Sequence, residues 1–325
     1  MKNTNNKTKI KCDMIIFGDI NIDIITNPIN KIEKEVSIVQ KEFSIFPGGN
    51  ANNTALSLSN LDLNIHFFGA LGLNDPISNW LINVLNENNI THSISLKNKS
   101  SGITFAITYK DGTRTFIATL GANRDLELND LKINTISAKH LHRGGYYYSP
   151  KIVGKANDDL FKLAKENGMS TSLGLSFDPR NWENRFDVLN NLKYCDILLL
   201  NEKELRNLTN TEILKEAIIE LKYYFKGIIV IHQGAKGSLI VKKDIKIKIP
   251  ANEINIVNPT GSGDIYDAGF LFAYIYRGWD LEHAGKFAAA CAEVHINNLD
   301  IKYPTLLDVK NYLKQYKQEE NKDLD

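Results

Sequence analysis

One stretch near the C-terminal end constrains the fold more than any other: Val257-Asn-Pro-Thr-Gly-Ser-Gly-Asp264. Before it, Ile254-Asn-Ile-Val257 is rich in β-branched residues. After it, Ile265, Ala268, Leu271, Phe272 and Ile275 recur at helical spacing, so the segment reads as strand, glycine-rich turn, helix. Pro259 and Gly261 break the strand, and Ser262-Gly263 let backbone N–H groups converge at the helix start. Free N–H groups at the positive end of a helix dipole form an anion site. A carboxylate is a poor neighbour for an anion, so Asp264 reads as a base that takes a proton while a phosphoryl group moves.

Charge narrows the partner. The 325 residues hold 39 basic and 38 acidic side chains, a net charge of +1, which excludes an electrostatic appetite for nucleic acid or an anionic membrane. A small-molecule partner remains. Cys12, Cys195 and Cys291 are far apart and show no metal spacing, as in a reduced cytoplasmic protein. Residues 1–11 form a polar, flexible lead-in with no signal-peptide core. No apolar run approaches the roughly 20 residues that span a bilayer.

Along the chain, Met14–Phe17 is a strand, after which Asp19, Asn21 and Asp23 alternate on one face. Strand character continues over 35–46 and stops at Pro47-Gly48-Gly49. A helix over 50–60 starts among Asn50, Asn52 and Asn53, which suits capping. A strand over 65–71 and a helix over 76–89 follow. Residues 101–109 and 114–120 pair around Lys110-Asp111-Gly112-Thr113. The strands drawn from about 20–46 and 91–120 are expected to form a small sheet set apart as a lid. From 137 onward, strands at 139–144, 172–177, 196–200, 227–232 and 254–258 alternate with helices, the pattern of a mainly parallel sheet covered on both faces. One domain over 12–312 is expected, with a charged, fraying tail at 313–325.

Active groups of an open α/β sheet sit at the C-terminal ends of its strands. Four polar clusters fall there: Asp19/Asn21/Asp23, Asp178-Pro-Arg180, Asn201 to Glu204, and Asn258 to Asp264. No P-loop is present, and Tyr266 stands where a dinucleotide fingerprint needs its third glycine. Asn201 and Glu204 fit either a capping box or a pair that orients waters around Mg²⁺ and phosphates. His140 and His142 share a strand face without an acidic or cysteine partner and read as core. Arg114 reads as a solvated edge residue.

These motifs resemble the ribokinase-like (PfkB) carbohydrate kinases over residues 13–312. Gly48-Gly-Asn-Ala-Asn-Asn53 and Thr260-Gly-Ser-Gly-Asp264 carry the likeness. Gly18 to Asp23, Gly121-Ala-Asn123, Asp178-Pro179, Asn201 to Glu204 and Gly234-Ala-Lys-Gly237 follow in family order. The resemblance implies a three-layer α/β/α fold with a β-sheet lid, and transfer of the ATP γ-phosphoryl group to a primary hydroxyl of a sugar. It makes Asp264 the general base and Gly261, Ser262 and Gly263 the anion hole. Asn21, Asp23, Gly48, Gly49 and Asn53 would hold the sugar. Asn201, His232, Gly234, Lys236 and Gly237 would hold the nucleotide, with Glu204 reaching Mg²⁺ through water. The lid would pair two subunits in a homodimer. Asn258-Pro259 replaces the family's common Asp-Thr, leaving activation by a monovalent cation open. His232-Gln233 replaces Thr-Leu. A polar residue often seen in the late helix is missing from Phe287-Ala-Ala-Ala-Cys291, and Leu73 to Ser78 departs from Gly-Asp-Asp-x-x-Gly. Two alternatives stay open. A nucleoside kinase on the same fold would clamp a base with Phe43, Phe105 or Phe116, and a catalytically silent relative would bind sugar as a sensor. A phosphosugar kinase would draw on Arg114, Arg143 and Arg180.

Overall fold

The computed structural model describes residues 9–111, 113–257, 259–298 and 302–320. The chain begins with β1 (Ile10–Lys11), β2 (Met14–Phe17), β3 (Asn21–Thr26) and β4 (Phe43–Gly48), then α1 (Asn50–Asn60), β5 (Ile65–Gly72) and α2 (Pro76–Glu87). Next come β6 (Thr91–Lys97), β7 (Gly102–Thr108), β8 (Arg114–Thr119), β9 (Ile136–Ser137), β10 (His140–Arg143), α3 (Lys155–Glu166) and β11 (Ser170–Gly174). The second half holds α4 (Arg185–Leu189), β12 (Ile197–Asn201), α5 (Glu202–Thr209), α6 (Leu214–Tyr224), β13 (Ile228–His232), β14 (Ser238–Lys242) and β15 (Ile245–Ile249). It closes with α7 (Ser262–Leu271), α8 (Leu281–Ile296) and α9 (Leu306–Glu320).

Among the described residues, nine strands form the main sheet in the order β15-β14-β13-β12-β11-β10-β2-β5-β6. From β6 to β13 all pairs are parallel. Successive residues of a strand point to opposite faces, and here both faces are apolar. Met14, Ile16, Leu199 and Val230 join the core under α1, α2, α7 and α8. Ile15, Phe17, Leu198 and Ile229 join the core under α3 to α6. This is the three-layer α/β/α arrangement. A separate four-stranded sheet, β4-β3-β7-β8, stands above one end as a lid.

Four expectations need correction. Residues 91–97 do not belong to the lid: β6 lies parallel to β5, pairing His66 with Thr91 and Gly72 with Lys97. A strand that returns through a crossover helix settles beside the strand it left, and α2 is that helix. Strand structure within 35–46 is confined to Phe43 onward. The strand over 254–258 is absent across the described residues 254–257, because the hairpin β14–β15 closes the sheet edge antiparallel and leaves no partner on that side. The strict strand-helix alternation breaks there. Finally, α9 runs through Glu320 across most of the tail expected to fray, with Val309 buried and Leu306 and Leu313 packed on the core. Within the lead-in, Ile10 and Lys11 pair with Ile136 and Ser137; its residues 1–8, like 321–325 of the tail, lie outside the described residues.

Gly227 opens β13 where the backbone passes close to the Asp196 carbonyl, and a Cβ at this position would collide with that oxygen and with the Phe225 ring. Crowding of this kind costs about 1–3 kcal/mol. Gly227→Ala is expected to lower the urea unfolding midpoint correspondingly while leaving the turnover of folded protein unchanged.

Candidate active site

At the C-terminal edge of the parallel strands, the first turns of α1 and α7 meet. Gly49, at φ 96, occupies the N-cap position of α1 and has no side chain to cap it. Asp19 does so from the neighbouring strand end, accepting from Asn50 N (3.0 Å) and Ala51 N (3.1 Å). The asparagines of α1 are therefore released from the capping expected of them. Asn50 Nδ2 donates to Asp264 Oδ1 and Asn53 Nδ2 to Asp264 Oδ2, each at 2.9 Å. Asp264 faces the cavity, yet the protein around its carboxyl pushes its pKa well above the usual carboxylate range. The two amides act against that shift, and the charges of Asp267 and Asp19 add to it.

Gly261 stands at φ 85 as the N-cap of α7. Ser262, Gly263 and Asp264 are the first helical residues, whose N–H groups have no intrahelical acceptor. Of the three residues expected to form an anion hole, Ser262 and Gly263 therefore open the helix, while Gly261 stands outside it as the N-cap, and Ser262 N donates to the Pro259 carbonyl at 3.5 Å. Arg114, read from sequence as a solvated edge residue, instead reaches down from β8 and donates through Nη1 to Thr260 Oγ1. The lid thus touches the hole loop directly.

On one side of Asp264 opens a cavity of about 740 Å³, lined among others by Asn21, Asp23, Asn53, Thr104 and Phe116. Asn21 Nδ2 donates to Asp23 Oδ1 (2.8 Å) and Thr104 Oγ1 (3.1 Å). Burial pushes Asp23 up to about 6, against the pull of Lys302 and the Asn21 amide. Gly49 lines this cavity, whereas Gly48 lies behind Asp23, where a Cβ would strike the carboxyl group. Asn53 borders the cavity with its amide committed to Asp264. Phe43 and Phe105 line none of it. By register Phe105 pairs with Ile117 and Thr104 with Ala118, which puts Phe105 on the outer face of the lid and Thr104 inside. Phe177 lines it without having been singled out by sequence, as do Lys203 of the Asn201 to Glu204 cluster and Tyr148, whose aromatic run reads from sequence as packing.

On the other side a smaller cavity of about 220 Å³ joins Asp264 and the hole to Asn201, Glu204, His232 and Asp267. It continues into a cleft of about 470 Å³ bordered by Asn201, Lys203, Arg206, His232, Gln233 and Lys236. Asn201 and Glu204 form a reciprocal capping box, Asn201 Oδ1 accepting from Glu204 N (2.8 Å) and Glu204 Oε2 from Asn201 N (2.9 Å). Burial raises Glu204 to about 7, with Asp267 adding and the Asn201 N–H and His232 opposing. Asp267 escaped the sequence reading, although it lies one helical turn after Asp264. Its Oδ1 is 2.9 Å from His232 Nε2, without the alignment of a hydrogen bond. Burial disfavours the His232 cation, but Asp267 and Glu204 outweigh it and raise the pKa. Gly234 and Gly237, at φ 58 and 87, bracket the turn that carries Lys236. A Cβ on Gly237 would collide with the Ile249 carbonyl, so that glycine serves the hairpin whatever else it does. Asn258, on which monovalent-cation activation was left open, lies outside the described residues. Among those residues no group of three or more His, Cys, Asp and Glu could hold a metal.

Two of the three candidate arginines are withdrawn from the cavity. Arg143 is fully buried and donates through Nη2 to the carbonyls of Tyr146 (2.7 Å) and Ile152 (2.8 Å). Arg180 pairs with Asp178 at 3.3 Å and lies over Tyr147. His140 and His142 are buried and bonded to Ser170 and Ser172, in keeping with a core role. No helix among the described residues is long and apolar enough to cross a membrane.

Comparison with known proteins identifies the family and the fold. The profile of the pfkB family carbohydrate kinases matches residues 12–304. A 5-dehydro-2-deoxygluconokinase of Mesomycoplasma hyopneumoniae is 29% identical over 318 residues, covering 89% of each chain. A nucleoside kinase of Methanocaldococcus jannaschii is 28% identical, covering 87% of this chain and 89% of the relative. Among solved structures, a ribokinase of Thermotoga maritima superposes with a TM-score of 0.80 at 23% identity, covering 93% of this chain and 99% of its own. A second structure at the same TM-score, 18% identical and covering 93% and 99%, is described as a ribokinase II of E. coli in complex with ATP and Mg²⁺. The chain belongs to the pfkB family of carbohydrate kinases, phosphotransferases with an alcohol group as acceptor.

Proposed function

We propose that this protein transfers the γ-phosphoryl group of ATP to a primary hydroxyl of a sugar, with Asp264 as general base. The observation that carries this is the placement of Asp264. Two amides orient its carboxyl at the junction of the large cavity and the first N–H groups of α7. A sugar hydroxyl entering from the Asn21/Asp23 side meets Asp264 before it meets the hole. The acceptor oxygen gives its proton to Asp264 as it bonds to phosphorus, and the bridging oxygen leaves with ADP. Ser262, Gly263 and Asp264 N–H groups take up charge on the transferring phosphoryl oxygens. Asn201, His232 and Lys236 border the side from which ATP reaches the hole, and Gly234 and Gly237 shape the turn that carries Lys236. Glu204 fits a water-mediated hold on Mg²⁺: one oxygen is taken by Asn201 N, and the residue lines the cavity below the hole. Mg²⁺ there would neutralise charge on the donor phosphates. Arg114 joins lid and hole, so its position depends on lid closure.

A nucleoside is the second acceptor reading, favoured by Phe116, Phe177 and Tyr148 along the apolar side of the large cavity and by the nucleoside kinase among the relatives. The lid's outer face presents Ile45, Ile24, Phe105 and Ile117 in one row across four strands, three of them exposed. A second copy of the chain covers that row in a homodimer. Three free cysteines fit the reducing cytoplasm.

ADP release measured over ribose, fructose, 2-keto-3-deoxygluconate, adenosine, inosine and cytidine tests activity and acceptor class together; no release with any of them favours the silent binder. With the best acceptor, Asp264→Asn is expected to lose at least roughly 10²-fold in kcat, and wild-type turnover would remove Asp264 from the chemistry. The same variant should gain stability. A pKa raised by folding means the folded state holds the proton more tightly than the unfolded chain, so the ionised carboxyl destabilises once pH exceeds the unfolded value near 4. Asp264→Asn should therefore raise the Tm at pH 8, with the difference closing below about pH 4. In sedimentation, Ile117→Lys is expected to shift a dimer towards monomer.

A further inference from the structure

We infer that Tyr303 is a positioning residue for Asp264, acting through the side chain of Asn53. The proposal rests on the reading of Asp264 as the base and adds a residue to which that reading gives no role. Tyr303 Oη lies 2.9 Å from Asn53 Oδ1, and Asn53 Nδ2 lies 2.9 Å from Asp264 Oδ2. Hydroxyl, amide and carboxyl therefore form one line from the segment between α8 and α9 into the reaction centre.

The chemistry of an amide makes this line directional. An ionised carboxylate only accepts, so Asn53 must turn its NH₂ towards Asp264. Its Oδ1 then faces the other way, among buried groups, and Asn53 is only 6% exposed. A buried carbonyl oxygen without a donor costs about 1–3 kcal/mol. The hydroxyl of Tyr303 is the donor that meets it. Without that hydroxyl, one of the two restraints on the amide is lost and its oxygen is left buried without a donor, so Asn53 holds Asp264 less firmly. Burial and the charges of Asp23 and Asp264 hold the Tyr303 phenol well above its ordinary pKa, so it keeps its proton. The Pro47 carbonyl, 3.3 Å from the same hydroxyl, is the longer of its two contacts.

Tyr303 is itself fixed from two directions. Lys302 donates through Nζ to the Pro47 carbonyl, just before the Gly48-Gly49 turn, and its ammonium group lies 4.8 Å from the centre of the Phe46 ring. The buried His295 of α8 has Nδ1 2.7 Å from Lys302 O and Nε2 2.9 Å from Thr260 O. One imidazole thus links the backbone beside Tyr303 to the loop that carries the anion hole. The geometry ties base, hole and the start of α1 to one C-terminal segment.

Tyr303→Phe keeps the ring and removes only the donor. The single-turnover phosphoryl-transfer rate is expected to fall by up to about tenfold, the upper range for a hydrogen bond between neutral groups, with acceptor KM unchanged within about twofold. Because the Asn53 amide lowers the Asp264 pKa, weakening it should move the acid limb of the rate profile to higher pH. Asn53→Ala should move the limb the same way, and the double variant should be no slower than Asn53→Ala alone. Incorporation of 3-fluorotyrosine at 303 keeps the hydroxyl and makes it a stronger donor, so it should move the limb to lower pH; this arm stands even if Tyr303→Phe folds poorly. An unshifted limb in both Tyr303 replacements, or additive losses in the double variant, would overturn the inference. Asp264→Asn, run in parallel, separates the cases: wild-type turnover there would dismiss the base itself, whereas a dead enzyme with an indifferent Tyr303 dismisses only the positioning.

Discussion

The site depends on two amide–carboxyl hydrogen bonds that join α1 to α7. Asn50 and Asn53 meet the two oxygens of Asp264 separately, and a carboxyl gripped at both oxygens has one orientation left. Everything around this pair serves to keep it in register. Asp19 caps α1, so that the asparagines need not, and Gly49 allows the chain to enter the helix beneath Asp19. The αL turn at Gly261 starts α7 at the point where its first N–H groups and the Asp264 side chain share one cavity. The proposed role of Asp264 as a base needs geometry before acidity, and the orientation of its carboxyl is set by two helix starts.

Electrostatics explain why such an arrangement is costly to hold and useful once held. Asp19, Asp23, Glu204 and Asp264 all have pKa values raised by burial, so each ionised form is disfavoured in the folded chain. Such stored cost is common where binding or proton transfer must follow. Cations that oppose these shifts come from distant parts of the chain, Arg143 at Asp19 and Lys302 at Asp23. Lys302 stands close enough to Asp23 and Asp264 to favour their charged forms, and its own pKa falls to about 8 through burial despite both acids. Arg114 arrives from the lid. Donor phosphates and acceptor hydroxyls would thus enter a field set by groups more than a hundred residues apart.

The lid is a four-stranded sheet whose two faces differ in chemistry. Asn21, Asp23 and Thr104 face the large cavity, while Ile45, Phe105 and Ile117 face outward. Period-two alternation alone makes one strand serve both purposes. The same alternation in the main sheet, buried on both sides, produced continuous apolar runs instead, because both faces are covered by helices.

Much of this was legible in the linear chain. Turn glycines, β-branched runs and helical spacing act over a few residues, so the strand ends, the glycine-rich turn and the helix carrying Asp264 followed from local chemistry alone. Local chemistry also offered a capping box for Asn201 and Glu204, beside a role in orienting waters, and the structure forms the box. It could not say that 91–97 joins the main sheet, since an edge strand and a lid strand have the same pattern until a crossover helix decides between them. It could not say that the sheet ends in a hairpin, leaving 254–257 unpaired, because pairing depends on which neighbour arrives first in space. Nor could it find Arg114 at Thr260, Asp267 beside His232, or Tyr303 behind Asn53, whose roles exist only where separate segments meet. The sequence by itself determined the elements and the chemical kind of the site, through interactions short enough to be written in adjacent residues. Only the tertiary structure decided which side chains complete it, because hydrogen bonds between Tyr303, Asn53 and Asp264 span 250 positions and 211 positions of chain and have no local signature.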